Sequence, residues 1–428
     1  MILRSAEPGI DEKAFGELYP RYAGQSLPNI LGTVMDAFGA GSKRTPINVD
    51  LYKNHISLDG IEKVVLVVFD GLGYNMWLDS RNDQGFLGRI AQKGMLIPIT
   101  TVFPSTTAAA ITTINTGLTP LEHGLPEWVL YMHEIKMIIN TLPFTPFMSE
   151  RRMSLSDMGV DPKILYDGKT VYEDLLAAGV NSHTLVSRML SNSAYNTLIK
   201  KGSKSHPYVY ATDGVMKIRR ILEDARGPTY VNFYTDSIDS MTHVYGPYTE
   251  ESRGEINSVS AIFKAQLLDK ISRKAAKNTL MLVTADHGHT TINPNKVIYL
   301  NGDRKLKKFM ASNGAGKILP TGSPRGAFLH INKADIEEAC SYLTRKFAGK
   351  ARIMKSRDAI SMGLFGTGKM HPKFRDRVGD IMILPREGEA IWYEHVQGKK
   401  QKLIGMHGGL SANEMLIPLG MARLSDIM

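Results

Sequence analysis

The segment VVLVVFDGLG, residues 64–73, decides the fold. Its first six residues are all apolar and four of them are valine. Such a short β-branched run suits a strand covered on both faces of a parallel sheet. Similar runs recur at NSHTLVS (181–187), TYVNFYT (229–235) and TLMLVTA (279–285). Between them lie segments of helical period: KTVYEDLLAAG (169–179), TDGVMKIRRILEDA (212–225) and EINSVSAIFKAQLLDKISRKAA (255–276). Strands alternating with helices predict an α/β fold, a doubly wound, mostly parallel sheet with helices on both faces. Ligands gather beyond the carboxyl ends of the strands in such sheets. Asp70, Asp239 and Asp286 all fall just after predicted strands.

Working outward, residues 1–60 read as a helical lead-in, and 125–165 as a hairpin or flap. Residues 291–375 read as a small inserted α/β lid with strand GAFLHI, helix KADIEEACSYLTRKFA, strand ARIMKS and short helix AISMGLFG. The expected division is a catalytic core of residues 1–290 and 376–428 and a lid of 291–375. The chain is expected to return to the core through DIMILP.

The 428 residues suit one large core with an insertion. The 52 basic and 42 acidic residues leave a net charge of +10, spread along the chain. That excess is compatible with steering an anionic substrate and equally with a merely basic proteome. No Arg/Lys block with interleaved aromatics marks a nucleic-acid binder. The single cysteine, Cys340, allows no intrachain disulfide and reads as a buried thiol. No run approaches the ~20 apolar residues of a membrane span, and the first twenty residues lack the apolar core of a signal peptide. A cytoplasmic protein is expected, without membrane association and with homo-oligomerisation open.

The chemistry gathers in FPSTTAAAITTINTGLTPLEHG, residues 103–124. A Thr before a run of small helix formers is ordinarily an N-cap. The same helix N-terminus offers free N–H groups and a positive dipole end to a phosphoryl group, and the alanines leave room for one. A Thr hydroxyl needs a metal or a base to act as a nucleophile. Asp239 and His243, four apart, share one face if their segment is helical. Asp286 and His287 are adjacent before Gly288, and His407 lies in the flexible GMHGG. Carboxylates with imidazoles are a Zn²⁺-like donor set, compatible also with Mn²⁺ or Fe²⁺. Three Asp, three His and one hydroxyl suffice for two cations, the equipment of a phosphate-ester hydrolase with a covalent Thr intermediate.

At these residues the chain resembles the alkaline phosphatase superfamily, and within it the type I phosphodiesterase/nucleotide pyrophosphatase branch. The motifs are FPSTTAAAITTINTGLTPLEHG, DSMTHVYGP (239–247), ADHGHT (285–290) and GMHGG (405–409). The resemblance implies Thr107 rather than Thr106 as nucleophile. It implies Asp239, His243 and His407 around one cation, and Asp70, Asp286, His287 and the Thr107 oxygen around the other. It implies a small phosphate-ester substrate, such as a nucleotide. The branch commonly carries an Asn about twenty residues past the nucleophile; here HGLPEWVLYM places Glu127 and Trp128 there. Glu127, Trp128 and Arg325, the last in TGSPRGAF, are the candidate substrate contacts. The alternatives are a phosphomonoesterase or phosphoglycerate-mutase-like enzyme on the same scaffold, and a non-catalytic metal-binding protein.

Overall fold

The computed structural model describes residues 16–41, 44–80 and 84–428. The start of the lead-in, on which the signal-peptide expectation rests, lies outside them.

Seven strands form the main sheet: β1 (Lys63–Phe69), β2 (Met95–Thr100), β3 (Asn181–Leu185), β4 (Lys204–Ser205), β5 (Thr229–Thr235), β6 (Thr279–Thr284) and β7 (Leu416–Arg423). Their order is β2-β7-β6-β1-β5-β3-β4. β1 is central and runs parallel to both β5 and β6. All seven of its residues are buried, as a central strand with a continuous apolar run requires. The predicted strands thus appear in the predicted parallel arrangement. β2, β4 and β7 were not read from the sequence, and β7 runs antiparallel to both β2 and β6. Its sequence, LIPLGMAR, carries a Pro and a Gly, which weaken a strand signal.

The helices that cover the sheet include Ala211–Asp224 and Glu250–Phe263. Among the described residues of the lead-in, Leu27–Ala37 is helical, with every residue buried except Asp36. The 125–165 segment is a three-stranded antiparallel unit, Val129–Met132, Met137–Asn140 and Thr145–Pro146.

A second sheet holds Thr321–Ser323, Gly326–Leu329, Ile381–Pro385 and Ala351–Lys355, in that spatial order. It has its own apolar core, including Leu306, Phe309, Leu329, Leu343 and Ile383. Here the structure differs from the sequence reading. Ile381–Pro385, expected to lead back to the main core, is an interior strand of this second sheet, paired with Gly326–Leu329 on one side and Ala351–Lys355 on the other. Its apolar run fits either sheet, and only pairing decides between them. Cys340 is half-buried against this second core rather than fully buried.

Candidate two-metal site

The site forms where β1, β5 and β6 end. Asp70 follows β1 directly. Gly71, at φ +74°, then turns the chain, and a Cβ there would lie 2.5 Å from the His289 ring. Asp239 lies in the first turn and His243 in the last turn of the short helix Ser237–Tyr245 that follows β5, on one face as their i, i+4 spacing dictates. Asp286 and His287 follow β6. Their loop packs so closely on the 411–415 segment that a Cβ at Gly288 would lie 2.1 Å from the Asn413 carbonyl.

Thr107 opens the helix Thr107–Thr116, with Thr106 as its N-cap residue. The Thr107 hydroxyl lies 3.1 Å from His287 Nε2. The Thr106 hydroxyl instead faces the Pro126 carbonyl, at 3.4 Å. Adjacent residues in a helix entry diverge by about 100°, so only one of the two can face the acids.

Two donor clusters result. Asp239, His287, His289 and His407 offer donor atoms all within 4.8 Å of one another, and so do Asp70, Asp286 and His287. His243 joins the first cluster with its Nε2 3.4 Å from Asp239 Oδ1. Asp239 Oδ1 lies 3.1 Å from His289 Nε2 and 3.9 Å from His407 Nε2. His287 Nε2 is 3.4 Å from both Asp70 Oδ1 and Asp286 Oδ2. All seven residues expected from the sequence therefore meet at one place.

His289 was missed. It stands two residues beyond His287, and in extended backbone that spacing puts two side chains on one side; ADHGHT carried the signal.

Backbone carbonyls orient the imidazoles. Nδ1 of His243 lies 2.7 Å from the Gly405 carbonyl, that of His407 3.0 Å from Ser105, and that of His289 3.2 Å from Gly71. His287 Nδ1 is 3.2 Å from the Gly288 carbonyl. A carbonyl can only accept, so each Nδ1 carries the proton and each Nε2 lone pair turns inward, as a metal ligand requires.

The electrostatics fit a pair of cations. Among the described residues, Asp70 Oδ1, Asp239 Oδ1, Asp286 Oδ2 and His289 Nε2 are all buried without a hydrogen-bond partner. Buried polar atoms are nearly always satisfied, so four orphans in one place describe a site shaped for something else. Burial, then the facing Asp286 and Asp239 carboxylates, push Asp70 well above the usual carboxylate range. Tyr234 donates to its other oxygen, Oδ2. Burial acts to raise Asp239 too, but His243, His289 and His407 together hold it below its ordinary value. Burial and the neighbouring imidazoles His287, His243 and His289 drive His407 well below the usual range. It is therefore neutral, as a ligand must be.

Arg325 is corrected. It was expected to reach a substrate phosphate, but its side chain is fully buried in a bidentate pair with Glu414, at 2.9 and 2.7 Å. It also donates to the carbonyls of Arg386 and Glu389. Glu127 and Trp128 do lie beside the site. Both line a cavity of about 470 Å³ with Thr107, His243 and His407. Glu127 is fully buried, whereas Trp128 is 36 % exposed at the rim.

An α/β sheet carrying two converging Asp/His clusters beside a Thr that opens a helix defines a two-metal site of the alkaline-phosphatase type. Residues 64–410 match the type I phosphodiesterase/nucleotide pyrophosphatase family, and the chain belongs to it. Venom phosphodiesterase 2 of Crotalus adamanteus is 24% identical over 229 residues, 52% of this chain and 26% of that protein. A venom phosphodiesterase of Naja atra is 22% identical over 242 residues, 55% of this chain and 27% of that one. The match thus spans about a quarter of the length of these curated relatives. Murine ectonucleotide pyrophosphatase/phosphodiesterase 5 superposes with a TM-score of 0.61 at 20% identity, covering 83% of this chain and 87% of that one. Phosphonoacetate hydrolase from Sinorhizobium meliloti 1021 superposes at 0.57 and 19% identity, covering 85% and 93%. These relatives overturn the expectation of a cytoplasmic protein, since they include venom enzymes and an ectonucleotide enzyme. Among the described residues, no helix is long and apolar enough to cross a membrane.

Proposed function

We propose that this protein is a two-metal phosphodiesterase or nucleotide pyrophosphatase that works through a phosphorylated Thr107. The observation that carries the reading is the set of four orphaned acid and imidazole atoms clustered with His287, whose Nε2 lies 3.1 Å from the Thr107 hydroxyl. Asp239, His243 and His407, joined by His289, would hold one divalent cation; Asp70, Asp286, His287 and the Thr107 oxygen would hold the other. Zinc suits this nitrogen-rich donor set best. Bound there, the cations would lower the pKa of the hydroxyl and of the attacking water and neutralise charge on the phosphoryl oxygens. Thr107 attacks phosphorus through Oγ1, the ester oxygen leaves on the opposite side, and water later releases the phosphoryl group from Thr107. The free N–H groups at the start of the Thr107 helix favour the anionic phosphoryl group. The second sheet acts as a lid, a reading supported by Ser323 and Pro324, which line the same cavity as Thr107.

Glu127 takes the place of the family's Asn as a hydrogen-bond donor to a phosphoryl oxygen. Burial pushes its carboxyl up to about 8. Its Oε2 accepts from the Trp128 N–H at 2.8 Å, and the Ser323 hydroxyl also acts on the carboxyl. A neutral acid can donate as an amide does. A raised pKa means the donating form prevails below about 8 and is lost as pH rises through it. Activity is therefore expected to fall on that alkaline limb. Glu127→Gln keeps a donor that does not titrate, so its pH–rate profile should lack the limb, while Glu127→Ala should lose about 10-fold or more in kcat/KM at neutral pH. A limb near pH 8 that persists in Glu127→Gln would assign it to another group.

The assignment is tested with matched esters. Hydrolysis of bis-p-nitrophenyl phosphate is expected to disappear with EDTA and return with Zn²⁺ or Mn²⁺. Faster cleavage of p-nitrophenyl phosphate than of the diester would make the enzyme a monoesterase. Metal-loaded protein that turns over neither ester would be a binding protein.

A further inference from the structure

The segment TVFPSTT, residues 101–107, joins β2 to the helix that Thr107 opens. The Thr101 and Ser105 hydroxyls take no part in the chemistry above, and both residues are fully buried. A buried hydroxyl ordinarily does no more than satisfy a neighbouring backbone group. The partners of these two set them apart. Ser105 Oγ accepts from the Gly408 N–H at 3.1 Å and donates to the Gly409 carbonyl at 2.8 Å. The Ser105 carbonyl accepts from His407 Nδ1 at 3.0 Å. Consecutive residues of the loop that carries one imidazole are thus held by a serine 302 to 304 residues away. Gly408, at φ +118°, lies in no strand or helix, so no ladder satisfies its backbone groups.

Thr101 makes the equivalent contact at the second cluster. Its hydroxyl donates to the Asp286 carbonyl, and its N–H donates to the Met415 carbonyl at 2.8 Å. With its backbone held there, Asp286 accepts from the N–H groups of Gly71 and His287 through Oδ1, at 3.0 and 2.9 Å. Its Oδ2 is left for the cluster, 3.4 Å from His287 Nε2.

We propose that Thr101 and Ser105 are positioning residues, each fixing the ligand loop of a different cation: Ser105 that of His407, and Thr101 that of Asp286. One short connection then places both cations relative to the Thr107 oxygen at its own end. Such placement matters because reacting groups must be held to within about 0.5 Å of the productive geometry. This inference rests on the two-metal reading and adds to it the residues that keep the two sites in register.

The test measures zinc affinity of the full chain by competition with a chromophoric chelator, in which two binding steps are expected. His243→Ala removes a ligand of the first cluster alone and so identifies the step that belongs to it. Ser105→Ala should weaken that same step by about 10-fold or more, the scale at which hydrogen-bond supports of metal ligands act, and leave the other within about threefold. Thr101→Val keeps the shape and drops the hydroxyl. It should weaken the other step by a similar factor, while Thr101→Ser, which keeps the hydroxyl, should bind both ions as the wild type does. Hydroxyls that only support the fold would not divide the two steps between them. Equal weakening of both steps in Ser105→Ala or Thr101→Val, no weakening, or weakening confined to the wrong step overturns the proposal and leaves the hydrolase reading in place. A wild type that binds fewer than two zinc ions overturns both.

Discussion

Thr107→Ala should load the same metal as the wild type and lose turnover of the diester by on the order of 10³-fold or more, the scale at which removing a nucleophile acts. The substitution takes away the hydroxyl and one methyl group, and the hydroxyl is the only polar group lost. Ala is a better helix former than Thr at the first helical position, and the cap residue Thr106 is untouched. Folding should therefore survive. The Thr107 oxygen is one donor among seven or more, so metal content should change little. The decisive readout is the covalent adduct. Acid-quenched wild-type protein should carry the phosphoryl group on Thr107 by mass spectrometry, and the variant should carry none. Thr106→Ala should be mild, because that hydroxyl makes only a 3.4 Å contact with the Pro126 carbonyl. Full activity in Thr107→Ala with loss in Thr106→Ala would shift the nucleophile by one residue.

The largest stability effect is expected at Arg325. Arg325 and Glu414 are both fully buried and doubly bonded to each other. The pair ties the turn between the strands Thr321–Ser323 and Gly326–Leu329 to the segment 405–415, which carries His407. Glu414 also accepts from the Gly409 N–H at 2.9 Å and the Ser411 hydroxyl at 2.7 Å. Arg325→Ala leaves a carboxylate buried without its cation, and three carbonyl or carboxylate partners lose their donor. The cost should be about 3–5 kcal/mol in equilibrium denaturation. Replacing both partners, as in Arg325→Met with Glu414→Leu, should recover much of that loss, because the penalty comes from the orphaned charge rather than from the pair's absence. Burial alone would raise Glu414, but Arg325 and then Ser411 and Gly409 hold it below its ordinary value. Its stabilising contribution is therefore present above the ordinary glutamate range and lost as pH falls toward the depressed value. An Arg325→Ala variant as stable as the wild type would mean the carboxylate finds water or another donor.

Much of this was legible along the chain. The runs at 64–69 and 279–284 read as strands because a covered strand must be apolar on both faces, and both are buried throughout; the more polar 181–187 lies in a partly exposed strand. Asp70, Asp239 and Asp286 lie together because each follows a parallel strand, and parallel strands end at one edge. β7 was hidden by its Pro and Gly. Ile381–Pro385 could be read as a strand, but its choice of sheet could not. Arg325 looked available because a Gly/Pro-rich turn is ordinarily exposed; the fold instead buries it against a glutamate 89 residues away.

Strand composition and the spacing of ligands in short motifs are local properties, so the parallel α/β core, the family and the seven side chains of the candidate site could be read along the chain. Only the folded arrangement shows that His289 joins the first cluster and that Arg325 is a clamp. Each of these depends on which distant segment lies opposite a given side chain, and the free energy of a buried charge is set by that neighbour rather than by the residues beside it in the chain.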